Sequence, residues 1–175
     1  MRIAFFSTKP YDRIWFEPMA KDYGYEIYFI ELPFSEETMF LAKGYDAACI
    51  FVNDHVNSKM IDYLYENKVK ALLLRSAGYN HVDVKAAKGK IEVLRVPSYS
   101  PEAVAEFAMA MLLTVNRFTH KAYGRTREFN MNINGLMGTD LFHKVAGVIG
   151  TGKIGQAMIR IFQGFRMNIL AYDPY

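Results

Sequence analysis

Five short apolar runs punctuate the first part of the chain: Ile3 to Phe6, Tyr25 to Ile30, Asp46 to Val52, Lys70 to Leu74 and Ile91 to Val96. Near-continuous runs of this kind suit strands buried on both faces, as in a parallel sheet. The intervening stretches carry helix punctuation. Gly24 can end a helix ahead of the second run. Ser35 is placed to cap a helix starting Ser35-Glu36-Glu37-Thr38, and Ser58 to cap another with Met60, Ile61 and Leu64 on one side. Asp83 to Lys88 makes a short helix closed by Gly89. This strand–helix alternation predicts an α/β domain with a mainly parallel sheet over residues 1–98.

Composition narrows the function classes. A chain of 175 residues fits one domain or two small ones. With 51% hydrophobic and 15% aromatic residues, it can bury enough surface to offset chain entropy, which excludes disorder. A net charge of +3 with basic residues spread along the chain leaves no nucleic-acid footprint. The single Cys49, inside the run Ala47 to Val52, excludes a disulfide scaffold and reads as a buried reduced thiol. No window approaches about 18 consecutive apolar residues, so no membrane span is expected. Met1-Arg2-Ile3-Ala4-Phe5-Phe6 is too short and too soon polar for a signal peptide, which makes the cytoplasm the expected compartment.

Residues 99–175 read as a long helix followed by one βαβ unit. Ser100 is a good N-cap and Pro101 fits the first helical position. Val104, Phe107, Ala108, Met111, Leu112, Val115 and Phe118 then fall at steps of three and four. That stripe predicts a helix of about six turns, either an ordinary core helix or one at a domain or subunit boundary. Residues 124–144 are polar and contain Gly124, Gly135 and Gly138, and read as a loop or arm. A strand at Lys144–Gly150, a helix at Ile154–Phe165 and a strand at Asn168–Asp173 follow.

Gly150-Thr151-Gly152-Lys153-Ile154-Gly155 is a Gly-x-Gly-x-x-Gly run. Alone the run is a weak signal. Here it follows an expected strand, opens an expected helix, and has Asp173 at the end of the next strand, 23 positions after Gly150. The usual spacing of a dinucleotide-binding turn is about 20. Gly150 would allow the tight turn, Gly152 would let a pyrophosphate approach the backbone, and Gly155 would let helix and strand pack closely. The helix N-terminus offers unpaired N–H groups to the phosphates. Asp173 would accept from the ribose hydroxyls and repel a 2′-phosphate, favouring NAD over NADP. Lys153 reads equally as a phosphate contact or a solvated lysine. The competing reading of the whole run is a glycine-rich turn with no ligand.

Three stretches together resemble the D-isomer-specific 2-hydroxyacid dehydrogenase family, most closely its D-lactate-forming members. They are Arg75-Ser76-Ala77-Gly78-Tyr79-Asn80-His81-Val82-Asp83, Val96-Pro97-Ser98-Tyr99-Ser100-Pro101-Glu102-Ala103-Val104-Ala105-Glu106, and the glycine run with Ala171-Tyr172-Asp173-Pro174-Tyr175 behind it. The resemblance implies a flavodoxin-like substrate domain (1–98), then an inter-domain helix and the start of a Rossmann NAD-binding domain (99–175). It implies hydride transfer between NADH and pyruvate or a similar 2-oxo acid, and a homodimer built through the helix starting at Pro101. Ser76, Ala77 and Gly78 match the loop whose N–H groups hold the substrate carboxylate, chemistry suited to small residues that bare their backbone. Tyr99 matches a pocket tyrosine. Gly150, Gly152, Lys153, Ile154, Gly155 and Asp173 match cofactor-binding positions.

The family's proton transfer needs a histidine, a glutamate that raises its pKa, and an arginine on the substrate. In the family these follow the second strand of the nucleotide domain, so no catalytic residue is assigned within these residues. His55, His81, His120 and His143 match none of them. The stretch is expected to cover about half a family member and to be inactive alone. The alternatives are a non-catalytic dimerising or nucleotide-binding fragment and an enzyme for a bulkier 2-oxo acid. No metal site, nucleic acid or membrane partner is expected.

Overall fold

Alternation of side chains along four-residue strands builds the first half of the chain. The computed structural model describes residues 1–175 as two units, Met1–Tyr99 and Ser100–Tyr175. In the first unit β1 (Arg2–Phe5), β2 (Glu26–Phe29), β3 (Ala47–Ile50), β4 (Ala71–Leu74) and β5 (Glu92–Arg95) form one parallel sheet in the order β2-β1-β3-β4-β5. Successive residues point to opposite faces. Ala4, Ala48, Ile50, Leu72 and Leu74 therefore pack against Met60, Ile61 and Leu64 of α2 (Ser58–Glu66). Ile3, Phe5, Ala47 and Cys49 face the other way, toward Phe16 of α1 (Pro10–Tyr23). Burial pushes the Cys49 thiol up to about 12, so it is an inert packing group.

Several helix ends match their sequence punctuation. Gly24 caps α1 at φ +67°. Asp83 caps the short α3 (Val84–Ala87) by accepting from the Ala86 N–H. Three details differ. The cap of α2 is Asn57, one residue before Ser58, and its Oδ1 accepts from the Met60 N–H. No α-helix starts at Ser35. The Thr38 hydroxyl accepts from the Ser35 N–H and donates to the Pro33 carbonyl, which folds the segment into turns and a 3-10 helix at Met39–Ala42. Finally, β2 and β5 are edge strands and partly exposed, so burial on both faces holds for the central strands.

The second unit contains α4 (Pro101–Arg117), α5 (Thr119–Arg127), β6 (Val145–Ile149), α6 (Lys153–Gly164) and β7 (Asn168–Tyr172). Ser100 caps α4 through its hydroxyl, 3.1 Å from the Ala103 N–H. The helix stops short of six turns because Phe118 adopts φ +52° and redirects the chain into α5. Its buried line is Ala105 and Met109, with Leu112 and Leu113 beside them. Val104, Phe107, Met111 and Val115 of the predicted stripe are exposed. β6 and β7 form a two-stranded parallel sheet. Ala146 and Val148 meet Met109 and Phe162 on its one covered face, while Ile149, Leu170 and Tyr172 remain exposed.

This contrast gives a stability test. Leu64→Ala, at a fully buried position, should destabilise the first unit by about 2–5 kcal/mol in urea titration. Leu170→Ala, at 67% exposure, should change stability by less than about 0.5 kcal/mol. Equal effects would contradict the packing.

Candidate functional site

In a parallel sheet of this strand order, the loops after the strands gather at one edge, and the order reverses between β1 and β3. A buried polar cluster occupies that edge. Ser7, directly after β1, has φ +50° and donates its hydroxyl to Asp54 Oδ1 at 2.8 Å. Asp54 Oδ2 accepts from the Phe51 N–H. Arg75, at the end of β4, donates Nη2 to the carbonyls of Phe6 and Ser7 at 2.9 and 3.2 Å. Its guanidinium stands 3.8 Å from Asp12 Oδ2, with both side chains about 10% exposed or less. It also lies over the Phe5 ring. Arg75 is thus a structural ion-pair arginine.

The loop Ser76-Ala77-Gly78 leaves the sheet from this anchor. The Ser76 hydroxyl donates to the Gly78 carbonyl at 2.8 Å, and the carbonyls of Ser76 and Ala77 accept from Val96 N–H and Arg95 Nη1. No acceptor within the chain meets the N–H groups of Ser76, Ala77 and Gly78. The loop's carbonyls are held and its donors are free, which is the arrangement that receives an anion. The Tyr99 hydroxyl donates to the Arg75 carbonyl at 2.6 Å, which brings this ring beside the loop. His81 also lies in this region. Burial lowers its pKa, and nearby His55 adds to the effect.

The glycine run forms a second group within its own unit. Gly150 has φ +91°, and its N–H donates to the Tyr172 carbonyl at 2.8 Å. A Cβ on Gly155 would stand 2.0 Å from the Gly150 carbonyl oxygen, whereas one on Gly152 would meet nothing within 4 Å. So Gly155 is required for helix and strand to touch, and Gly152 leaves open space. No side chain caps α6, and the N–H groups of Gly152, Lys153 and Ile154 find no acceptor. Lys153 and Ile154 are exposed at this end. Asp173 Oδ2 accepts from the Thr151 N–H and hydroxyl at 2.6 and 2.7 Å. These bonds, the hydroxyl's foremost, hold its carboxyl below the usual carboxylate range. Uncapped donors, open space at Gly152 and a neighbouring carboxylate fit a pyrophosphate with an attached ribose.

The structure therefore brings Ser76, Ala77, Gly78 and Tyr99 together in one unit. It brings Gly150, Gly152, Lys153, Ile154, Gly155 and Asp173 together in the other. Sequence reading missed Ser7, Asp54 and Thr151. Polar residues directly after the apolar strands β1 and β3 were the available signal for the first two.

Comparison with known proteins places these features in a family. The family model described as D-isomer specific 2-hydroxyacid dehydrogenase, catalytic domain, matches residues 3–170. A 2-hydroxyacid dehydrogenase homolog of Haemophilus influenzae is 48% identical over 100% of this chain and 53% of its own length. The apo-structure of D-lactate dehydrogenase from Escherichia coli superposes with a TM-score of 0.90 at 47% identity, covering 100% of this chain and 56% of that one. D-lactate dehydrogenase from Aquifex aeolicus, complexed with NAD and lactic acid, superposes with a TM-score of 0.81 at 27% identity, over 99% of this chain and 51% of that one. The chain spans about half the length of the curated relatives it matches.

The glycine geometry separates two substitutions. Gly155→Ala drives a Cβ into backbone and should destabilise the second unit by about 1–3 kcal/mol. Gly152→Ala enters open space at φ −63° and should cost less than about 1 kcal/mol. Thermal melts of both variants decide the matter, and a reversed order would contradict the turn described.

Proposed function

Because this chain belongs to the D-isomer-specific 2-hydroxyacid dehydrogenases, an oxidoreductase family, we propose that it serves an NAD-dependent, cytoplasmic D-lactate dehydrogenase acting on pyruvate or a similar small 2-oxo acid. The observation that carries this reading is the uncapped start of α6 at Gly152, with the Asp173 carboxylate beside it. NADH, when bound, supplies the hydride that reduces C2 of the 2-oxo acid. The residues of this chain do the holding. The free N–H groups of Ser76, Ala77 and Gly78 bind the substrate carboxylate, and Tyr99 closes one side of that loop. The N–H groups at Gly152, Lys153 and Ile154 bind the pyrophosphate, with the Lys153 ammonium as an added point charge. Gly150 and Gly155 keep the turn tight. Asp173 receives the ribose hydroxyls and, ionised, repels a 2′-phosphate.

These residues do not supply the proton. None of the histidines is placed to do so: His81, the one beside the carboxylate loop, has its pKa lowered by burial. A family arginine, histidine and glutamate, none of them among these residues, would complete the reaction.

The homodimer belongs to the same proposal. Phe107 and Val115 of α4 are 69% and 64% exposed, and Phe129 and Met137 of the following arm are each 90% exposed. Apolar surface of that extent on a helix and its adjoining arm marks a protein interface, and a second copy of this chain suits it best. The competing reading, a dimerising or nucleotide-binding fragment without catalysis, is favoured by the same helix face.

Two outcomes test the proposal. Gly152→Ala should weaken NADH binding at least tenfold, read by NADH fluorescence, with melting little changed; unaltered affinity would remove this turn from the cofactor site. The 175-residue chain alone should show no pyruvate-dependent loss of NADH absorbance. Turnover that disappears with Tyr99→Phe would place catalysis inside these residues and overturn the assignment.

A further inference from the structure

The pairing of β4 with β5 runs out at the loop that carries the free donors. Leu74, the last residue of β4, lies opposite Arg95, the last of β5. One step further, the Val96 N–H still reaches the Ser76 carbonyl at 3.1 Å. The next carbonyl, that of Ala77, meets no backbone donor. The side chain of Arg95 meets it instead, with Nη1 2.8 Å away. The same guanidinium lies over the Tyr79 ring, 5.5 Å from its centroid. Arg95 therefore grips the residues on both sides of Gly78.

That grip acts on a donor. In a planar trans peptide the carbonyl and the following N–H point in opposite directions. Fixing the Ala77 carbonyl therefore fixes the direction of the Gly78 N–H, which has no acceptor within the chain. A hydrogen bond accepted on one side of a peptide also polarises the donor on the other. Charge adds to geometry. Arg75 is buried against Asp12, whereas Arg95 pairs with no carboxylate of the chain. Arg95 is exposed, so water screens its field over distance, and its influence on the loop runs chiefly through the Ala77 peptide. A guanidinium suits the position because it donates from its edge while its face stacks on an aromatic ring.

We propose that Arg95 is a positioning residue for the substrate carboxylate, orienting and polarising the Gly78 N–H through the Ala77 carbonyl while touching no substrate atom itself. This rests on the Ser76–Gly78 loop holding that carboxylate, and one experiment separates the two. The isotope-labelled chain is titrated with pyruvate while NMR follows the amides of Ser76, Ala77 and Gly78 and the carbonyl carbon of Ala77. In the parent chain pyruvate shifts those amides. Arg95→Met moves the Ala77 carbonyl carbon and the Gly78 amide nitrogen before any ligand is added. It also weakens pyruvate binding about tenfold, as expected for losing a charge-assisted bond, and leaves the melting temperature unchanged. Arg95→Lys keeps a donor and a charge and recovers part of the lost affinity. A parent chain whose loop amides ignore pyruvate removes the loop from the substrate site, and the role of Arg95 falls with it. A parent chain that responds, with Arg95→Met binding pyruvate equally well, overturns the role of Arg95 alone. A loss that Arg95→Lys does not relieve, or that comes without the change at Ala77 and Gly78, marks a merely structural residue and also overturns the proposal.

Discussion

The guanidinium of Arg75 is the fixed point of the first unit. A buried cation is costly unless neighbouring groups replace its water. Asp12 supplies the opposite charge, the carbonyls of Phe6 and Ser7 accept two hydrogen bonds, and the Phe5 ring lies beneath it. Its Nε and Nη1 nonetheless have no hydrogen-bond partner, so a better-satisfied apolar core would be possible in principle. What the charge provides is position. One side chain from the end of β4 ties the end of β1 and the start of α1. Through Ser7, the same cluster reaches Asp54 after β3. Three loops that would otherwise move separately are held against one another where the Ser76–Gly78 donors emerge.

The second unit rests on a different constraint, the absence of a side chain. Gly155 lets α6 press on the Gly150 carbonyl, and that contact sets the angle at which the helix leaves the strand. The same turn leaves the first N–H groups of α6 without acceptors. Close packing and a set of free donors thus come from one backbone geometry, and Asp173, held by Thr151, places a negative charge beside it.

The sequence made some of this legible and hid the rest for physical reasons. The strands, the cap at Ser100 and the glycine turn depend on local residue chemistry, and local patterns expose them. The Arg75–Asp12 pair joins positions far apart in sequence, and no periodicity reports such a contact. Ser35 and Ser58 failed as caps for local reasons that were harder to see. Thr38 captured the Ser35 N–H, and Asn57 supplied a better-placed acceptor one residue earlier. The break at Phe118 requires a left-handed φ at an aromatic residue, which propensity argues against. The roles proposed for Ser76, Ala77, Gly78 and Tyr99 rest on family resemblance. The structure adds which of their donors are free.

Periodicity found the apolar stripe of α4 but could not say which way it faced. Ala105 and Met109 took the interior because small and flexible side chains allow close approach to α6 and β6, while Phe107 and Val115 were left outside. The same division appears on α1, where Phe16 goes inward and Trp15 outward. In both helices the larger outward residue lies next to the buried line, so a wide apolar arc contains two functions. One part folds the unit, and the remainder presents apolar area that water disfavours. On α4 that remainder is the surface the proposed homodimer would cover, and none of its residues is among those proposed to hold substrate or cofactor.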